Sequence, residues 1–253
     1  MEFWQAVAFT EPDTTWPDPW VLAGAVMAVT TTLRFTTNIY IGPIREPLLV
    51  AKQVGTAAVL SGNRVVLGLG AGWMKEEFDL LGQDFATRGP RLNEMIEVCR
   101  KVWAGGMVEH HGEHYDLPRL QMSPAPTRPV PIWCGGHTKA AIRRAATLCD
   151  GWVGNAYAVD EVFERAAAMH RALEEAGRAD VPFDVVIGAM AMPEPDLFKR
   201  MEDAGITGTL CVPWLSSFLP DDQGWKGEGR YQDSLEYKLR SIEKFGETVI
   251  AKL

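Results

Sequence analysis

The chain has 253 residues, 47% hydrophobic and 23% charged, with a formal net charge of −8. That length suits one α/β barrel of about 250 residues, and the acidic balance argues against a nucleic-acid surface or an anionic membrane partner. No apolar run reaches the roughly 18 residues of a membrane span, and the N-terminus shows no leader pattern, so a cytoplasmic protein is expected.

Residues 1–9 (MEFWQAVAF) read as a strand that ends in the turn residues Thr10-Glu11-Pro12-Asp13, which places Glu11 at a strand's C-terminal end. Asp18 can cap a helix with Pro19 at its first position, and Trp20, Leu22, Ala23, Val26 and Met27 supply that helix. Residues 33–41 (LRFTTNIYI) are β-branched and aromatic and predict a strand. Pro47 opens a second helix with a broad apolar face, which Ser61-Gly62-Asn63 stops.

The stretch RVVLGLGAGWMKEEFDLL, residues 64–81, organises the chain. Val65, Val66, Leu67 and Leu69 leave no polar face, as in a parallel strand covered on both sides. Gly68, Gly70 and Gly72 remove side chains where the backbone turns or another group approaches, and Met74, Phe78 and Leu81 resume at helical spacing. A dinucleotide fingerprint fits poorly, because the last glycine spacing is short and Asn93 and Glu94 lie on a helical pattern rather than at a strand end. A barrel strand with its loop at the C-terminal face fits better.

A helix follows over 91–103, then a hairpin excursion over 107–120. A strand at 129–134 feeds Gly135-Gly136-His137-Thr138 and a helix through Ala146. Strands at 151–153, 183–190 and 207–212 alternate with helices at 159–176, 193–204 and 235–253. This alternation predicts an α/β fold with a parallel sheet, a single domain over 1–253. Seven candidate strands are one fewer than a closed barrel requires.

These segments resemble the luciferase-like monooxygenase superfamily, specifically its branch that depends on the deazaflavin coenzyme F-420. The resemblance rests on WPDPWVLAGAVMAVTTTLRFTTNIYIGPIREPLLVAKQ, on VLSGNRVVLGLGAGWMKEEFDLLGQDFATRGPRLNEMIEVCRKVWAGG, and on HGEHYDL with PIWCGGHTKAAIRRAATLCDGWVG. It implies a TIM-barrel oxidoreductase that performs hydride transfer or monooxygenation on a small organic substrate, with coenzyme F-420, or alternatively FMN, at the strands' C-terminal ends. It further implies that Asn38 and Ile39 form a bulge with a non-proline cis peptide behind the ring, and that Gly70, Ala71, Gly72 and Trp73 approach the cofactor. Gly135, Gly136, His137 and Thr138 match a cofactor-phosphate segment, and a double glycine at a helix start favours phosphate on physical grounds as well.

Glu11 matches an acidic position after the family's first strand and is the candidate proton donor or acceptor. Against the family pattern, a strand-helix unit looks missing between that strand and the helix at Pro19, so an inactive barrel remnant is the competing expectation. A homodimer through the helices at 19–31 and 47–60 is expected, as in similar proteins.

Other features have plainer readings. His110, His111, Glu113 and His114 spell H-x-x-E-H, but the neighbouring Gly105-Gly106, Gly112 and Pro118 suit a hairpin rather than the helix a zinc motif needs. Cys99, Cys134, Cys149 and Cys211 lack metal-site spacing and read as reduced core thiols. Arg143 and Arg144 read as solvated helix-face residues, and Trp73 can be read as core packing.

Overall fold

A computed structural model describes residues 15–215 and 234–253. The strand expected over 1–9 and Glu11 lie outside the described residues, as does most of the segment where a unit looks missing. The architecture is a curled parallel sheet with helices on its outer face, a half-barrel.

Six parallel strands make the sheet: β1 (Phe35–Thr36), β2 (Tyr40–Ile41), β3 (Val65–Gly70), β6 (Ile132–Gly135), β7 (Gly151–Tyr157) and β8 (Asp184–Ala189). Their order is β1-β3-β6-β7-β8, with β2 joining the C-terminal half of β3. A separate antiparallel hairpin pairs β4 (Val108–His111) with β5 (Asp116–Leu120), as the glycines and Pro118 predict.

Successive strand residues face opposite ways, so register decides what each face carries. Leu67 pairs with Ile132 and Leu69 with Cys134. With Trp152, Val185 and Ile187 these side chains are fully buried against the helices, in one core with Val54, Met95, Cys99 and Met169. Each such aliphatic side chain stabilises by roughly 1.5–3 kcal/mol. The inner face is the reverse: Gly68 pairs with Trp133, which pairs with Gly151, and Gly135 pairs with Val153. Glycines leave that face shallow and open to whatever lies over it.

The helices stand where their signals place them. Asp18 Oδ1 accepts from the amides of Trp20 and Val21 and caps α1 (Pro19–Ala28). Gly62, with φ 67°, ends α2 (Pro47–Ser61) in the left-handed conformation that glycine favours. The short α3 (Lys75–Leu80) buries Phe78 completely, with Met74 buried just before it. Helix α4 (Arg88–Trp103) packs on α2, where Trp103 Nε1 donates to Ala51 O. Helices α5 (Lys139–Leu148), α6 (Val159–Glu175) and α7 (Pro195–Asp203) each follow a strand, and α8 (Leu235–Thr248) ends the chain with a single 3-10 turn.

Several expectations need correction. The strand expected over 33–41 is two short strands separated by a bulge at residues 37–39. Helix α4 begins at Arg88, three residues before the expected start. Pro90 falls in its first turn, where an amide would lack a helical acceptor anyway. Strand β7 runs to Tyr157 rather than 153. The strand expected at 207–212 reduces to a bridge between Val186 and Gly208, held by Thr207 N to Val185 O at 2.9 Å.

Candidate functional site

A cavity of about 710 Å³ opens at the C-terminal ends of β2, β3, β6 and β7, between the N-termini of α4 and α5. Its walls come from three turns that the sequence singles out and from one helix start that it does not.

The first wall is the bulge. Thr37 Oγ1 donates to Gly68 O at 2.7 Å and accepts from Gly68 N at 3.1 Å, so one hydroxyl stands in for the interrupted ladder. The Asn38–Ile39 peptide is cis, as the resemblance implies. Beyond it, Ile39 lies across the glycines of two strands. A Cβ added to Gly70 would sit 1.9 Å from Ile39 Cδ1, and one on Gly135 would sit 2.7 Å from Ile39 Cγ2. Gly68 is filled in the same way by Thr37 O at 1.9 Å. The alternate glycines of β3 are thus the imprint of the bulge above them.

The second wall is the turn of Ala71, Gly72 and Trp73. Gly72 has φ 84° and no room for a side chain beside Ile41 and Phe78. Trp73 is 68% exposed, so it is not core packing, and it lines the cavity.

The third wall is the segment from Gly135 to Thr138. Trp152 Nε1 donates to Gly136 O at 2.7 Å and fixes the loop from the outer face of the sheet. Gly136 has φ 114°. Thr138 Oγ1 accepts from Ala141 N and its carbonyl accepts from Ile142 N, which leaves Lys139 and Ala140 as the first-turn amides without a helical acceptor.

The remaining wall is residues 86–90, at the start of α4, together with Arg144 from α5 and Asn155 from β7. Arg88 lies over Phe85 at 3.7 Å from the ring centroid and donates through Nε to Gly72 O at 3.2 Å. Arg144 donates through Nε to Asn93 Oδ1 at 2.5 Å and through Nη2 to Gly89 O at 3.2 Å. The solvated-face reading holds for Arg143, which is exposed, and fails for Arg144, which is 8% exposed. Nothing in the pattern Ile142-Arg143-Arg144-Ala145 separates the two except helical phase relative to Ala141 and Ala145, both of which face the core.

Of the residues singled out from sequence, Ile39, Ala71, Gly72, Trp73, Gly135, Gly136, His137 and Thr138 converge on this cavity. Asn38 is exposed and Gly70 is buried beneath Ile39, and neither is among its lining residues. Glu11 lies outside the described residues. Arg88, Arg144 and Asn155 are lining residues that sequence reasoning missed.

Behind α4 lies a second cavity of about 600 Å³ under the hairpin, lined by Glu94, Glu97, Lys101, His110 and His114 among others. The H-x-x-E-H stretch lies on the hairpin, and His110 is buried there. Its Nε2 meets Glu94 Oε1 at 3.0 Å, and Lys101 Nζ lies 3.0 Å from Nδ1. Glu94 also accepts from the amides of Tyr115 at 2.7 Å and His114 at 2.9 Å. Burial pushes this carboxyl up, but the hydrogen bonds from His110, Tyr115 and His114 outweigh it and hold it below its ordinary range. Cys99, Cys134 and Cys149 are buried free thiols, and burial pushes Cys99 up to about 12.

A curled parallel sheet with helices outside, and a ligand-sized cavity at the strands' C-terminal ends, defines an α/β-barrel type of binding site. The sequence model of the luciferase-like monooxygenase family matches residues 2–245, and the chain belongs to that family. It is 42% identical over 239 residues to an uncharacterized protein of Mycobacterium tuberculosis, covering 93% of this chain and 78% of that one. It is 27% identical over 199 residues to the F-420-dependent glucose-6-phosphate dehydrogenase of Nakamurella multipartita, covering 77% of this chain and 58% of the dehydrogenase. Its fold matches the coenzyme F-420-dependent tetrahydromethanopterin reductase of Methanopyrus kandleri with a TM-score of 0.72 at 16% identity, over 93% of this chain and 87% of the reductase. Among the described residues, no helix is long and apolar enough to cross a membrane.

Proposed function

We infer that the chain is an oxidoreductase that uses coenzyme F-420, with FMN as the alternative, on a small organic substrate. The observation that carries this reading is the convergence of Ile39, Trp73 and the start of α5 on one cavity. It supplies an apolar wall, an exposed aromatic ring and a cradle of amides together. The residues present fit such a group. Gly136 leaves open the space in front of the first-turn amides, where a Cβ would come within 3.0 Å of Ala141 Cβ.

In this reading the amides at the start of α5 hold the phosphate, which the positive end of a helix favours. Ile39 and Trp73 flank the ring and keep water from one of its faces. When bound, the cofactor supplies a ring position that takes or gives a hydride, and the protein supplies placement and exclusion of solvent. Glu11 is the carboxyl we assign to proton transfer with the substrate.

The test is a titration of the purified chain with each cofactor. Coenzyme F-420 should bind with a Kd of about 10 μM or tighter, and FMN at least about tenfold more weakly. Absence of binding by both at about 1 mM would overturn the reading. The proposal includes a homodimer. Val21, Leu22 and Val29 on and just beyond α1, and Leu49 and Leu60 on α2, leave large apolar side chains in water, as a surface awaiting a partner does. Sedimentation velocity at micromolar concentration should show a dimer, and a monomer alone would refute it.

A further inference from the structure

A third cavity, of about 530 Å³, opens at the C-terminal ends of β7 and β8. It meets the cofactor cavity at the end of β7, where Asn155 lines one and Ala156 the other. Met190 and Met192, from the loop after β8, and Leu197 and Phe198, from α7, are among its walls. The strands beneath lie close together: a Cβ added to Gly188 would sit 3.0 Å from Ala156 Cβ and 3.3 Å from Leu210 Cβ.

The chemistry of this cavity differs from that of its neighbour. Arg88, Arg144 and His137 line the cofactor cavity, whereas none of the described residues lining this one is charged. Helix α7 carries Asp196, Lys199 and Arg200, but all three lie away from the lining, and Arg200 stands over the Phe163 ring of α6 at 5.0 Å. Only Thr209 and Cys211 bring polar side chains to it. Thr209 Oγ1 donates to Ile187 O at 3.0 Å, and burial pushes the Cys211 thiol up, which keeps it neutral. Met190 and Met192 are both exposed at this site. Their unbranched thioether side chains can mould themselves around an apolar molecule.

We propose that this cavity receives the substrate, and that the substrate is an uncharged, mostly hydrocarbon molecule whose one polar group is the group that reacts. The proposal rests on the oxidoreductase reading for the existence of a substrate and on the cavity for its chemistry. The volume lies within the range of about 300–1,000 Å³ that small-molecule sites occupy. A charged molecule entering here would lose its hydration and find no side chain of opposite charge, so either sign is disfavoured.

Cys211 reports occupancy, because it is a half-buried thiol of this cavity and the other three cysteines, Cys99, Cys134 and Cys149, are buried. The experiment follows alkylation of Cys211 by iodoacetamide in the full chain, read by peptide mass. Octan-1-ol, octanoate and octylamine serve as probes of matched length that are neutral, anionic and cationic at neutral pH. In wild type, octan-1-ol should protect Cys211 at a concentration at least about tenfold lower than either ion. Met190→Glu should move the preference toward octylamine and Met192→Lys toward octanoate, each by about fivefold, the scale of an exposed ion pair. Both positions are exposed, so the circular dichroism of the variants should match wild type.

Protection of wild type by octanoate or octylamine at the same concentration as by octan-1-ol overturns the proposal, and so does an unchanged preference in both variants. If coenzyme F-420 binds while octan-1-ol leaves Cys211 open to alkylation, the proposal fails and the cofactor reading stands. If octan-1-ol protects selectively but neither cofactor binds, the oxidoreductase reading fails and the selectivity of the cavity for uncharged molecules stands. Should one variant lose its circular dichroism signal, the other decides.

Discussion

The two sides of helix α4 treat charge in opposite ways. On the hairpin side, Glu94 meets His110 and two amides, and Lys101 meets both His110 and Glu97, so the charged groups there are paired. On the cavity side, Arg88 lies over the Phe85 ring and Arg144 meets Asn93 Oδ1, Gly89 O and the Cys134 side chain, and neither arginine has an ion pair among the described residues. Both sides have cavities of similar size, and volume alone would not tell them apart. Paired charge under the hairpin holds a joint of the fold, whereas the arginines at the cavity wall carry no ion pair among the described residues.

The largest expected effect tests the joint. Glu94→Ala strips a nearly buried carboxylate from His110 and from the amides of His114 and Tyr115, and should cost about 3 kcal/mol in denaturant unfolding. Cofactor affinity should stay within about threefold, since α4 keeps Arg88 and Asn93. A large loss of affinity with little loss of stability would invert the comparison.

Gly136→Val tests the other side. Its φ of 114° and the 3.0 Å approach to Ala141 Cβ leave no place for a branched side chain. Cofactor binding should fall by at least about 100-fold, near 2.7 kcal/mol. Far-ultraviolet circular dichroism should barely change, and wild-type affinity in this variant would remove the amide cradle from the site.

The smallest effect is a pH dependence. Glu94 is held below its ordinary value of 4.5 in the folded chain, so its contribution is complete above that pH and is lost as pH falls through the lowered value. The protection factors of the Tyr115 and His114 amides should therefore fall in acid, below the ordinary value and before global unfolding, and should already be low at neutral pH in Glu94→Ala.

Much of the scaffold was legible because its signals are local. Asp18-Pro19 announces α1, Gly62 ends α2, and the unbroken run from Val65 to Leu69 can only be a covered strand. The bulge was not legible from its own residues, since Thr-Thr-Asn-Ile-Tyr-Ile has ordinary strand propensity. What breaks it, the Thr37 hydroxyl on Gly68, is supplied 31 residues away, and only the family resemblance pointed there. Arg144 was missed for a related reason. Adjacent arginines on a helix look alike until the position of the neighbouring helix start makes one of them buried.

The contact of Ile39 with Gly70 and Gly135 makes these three positions one variable rather than three. A side chain can appear at either glycine only if residue 39 shrinks to make room, so changes there should be tolerated in combination and rejected singly. A library aimed at reshaping this cavity should therefore randomise position 39 jointly with positions 70 and 135. Screened one site at a time, all three would look immutable, and the most adjustable part of the wall would be discarded.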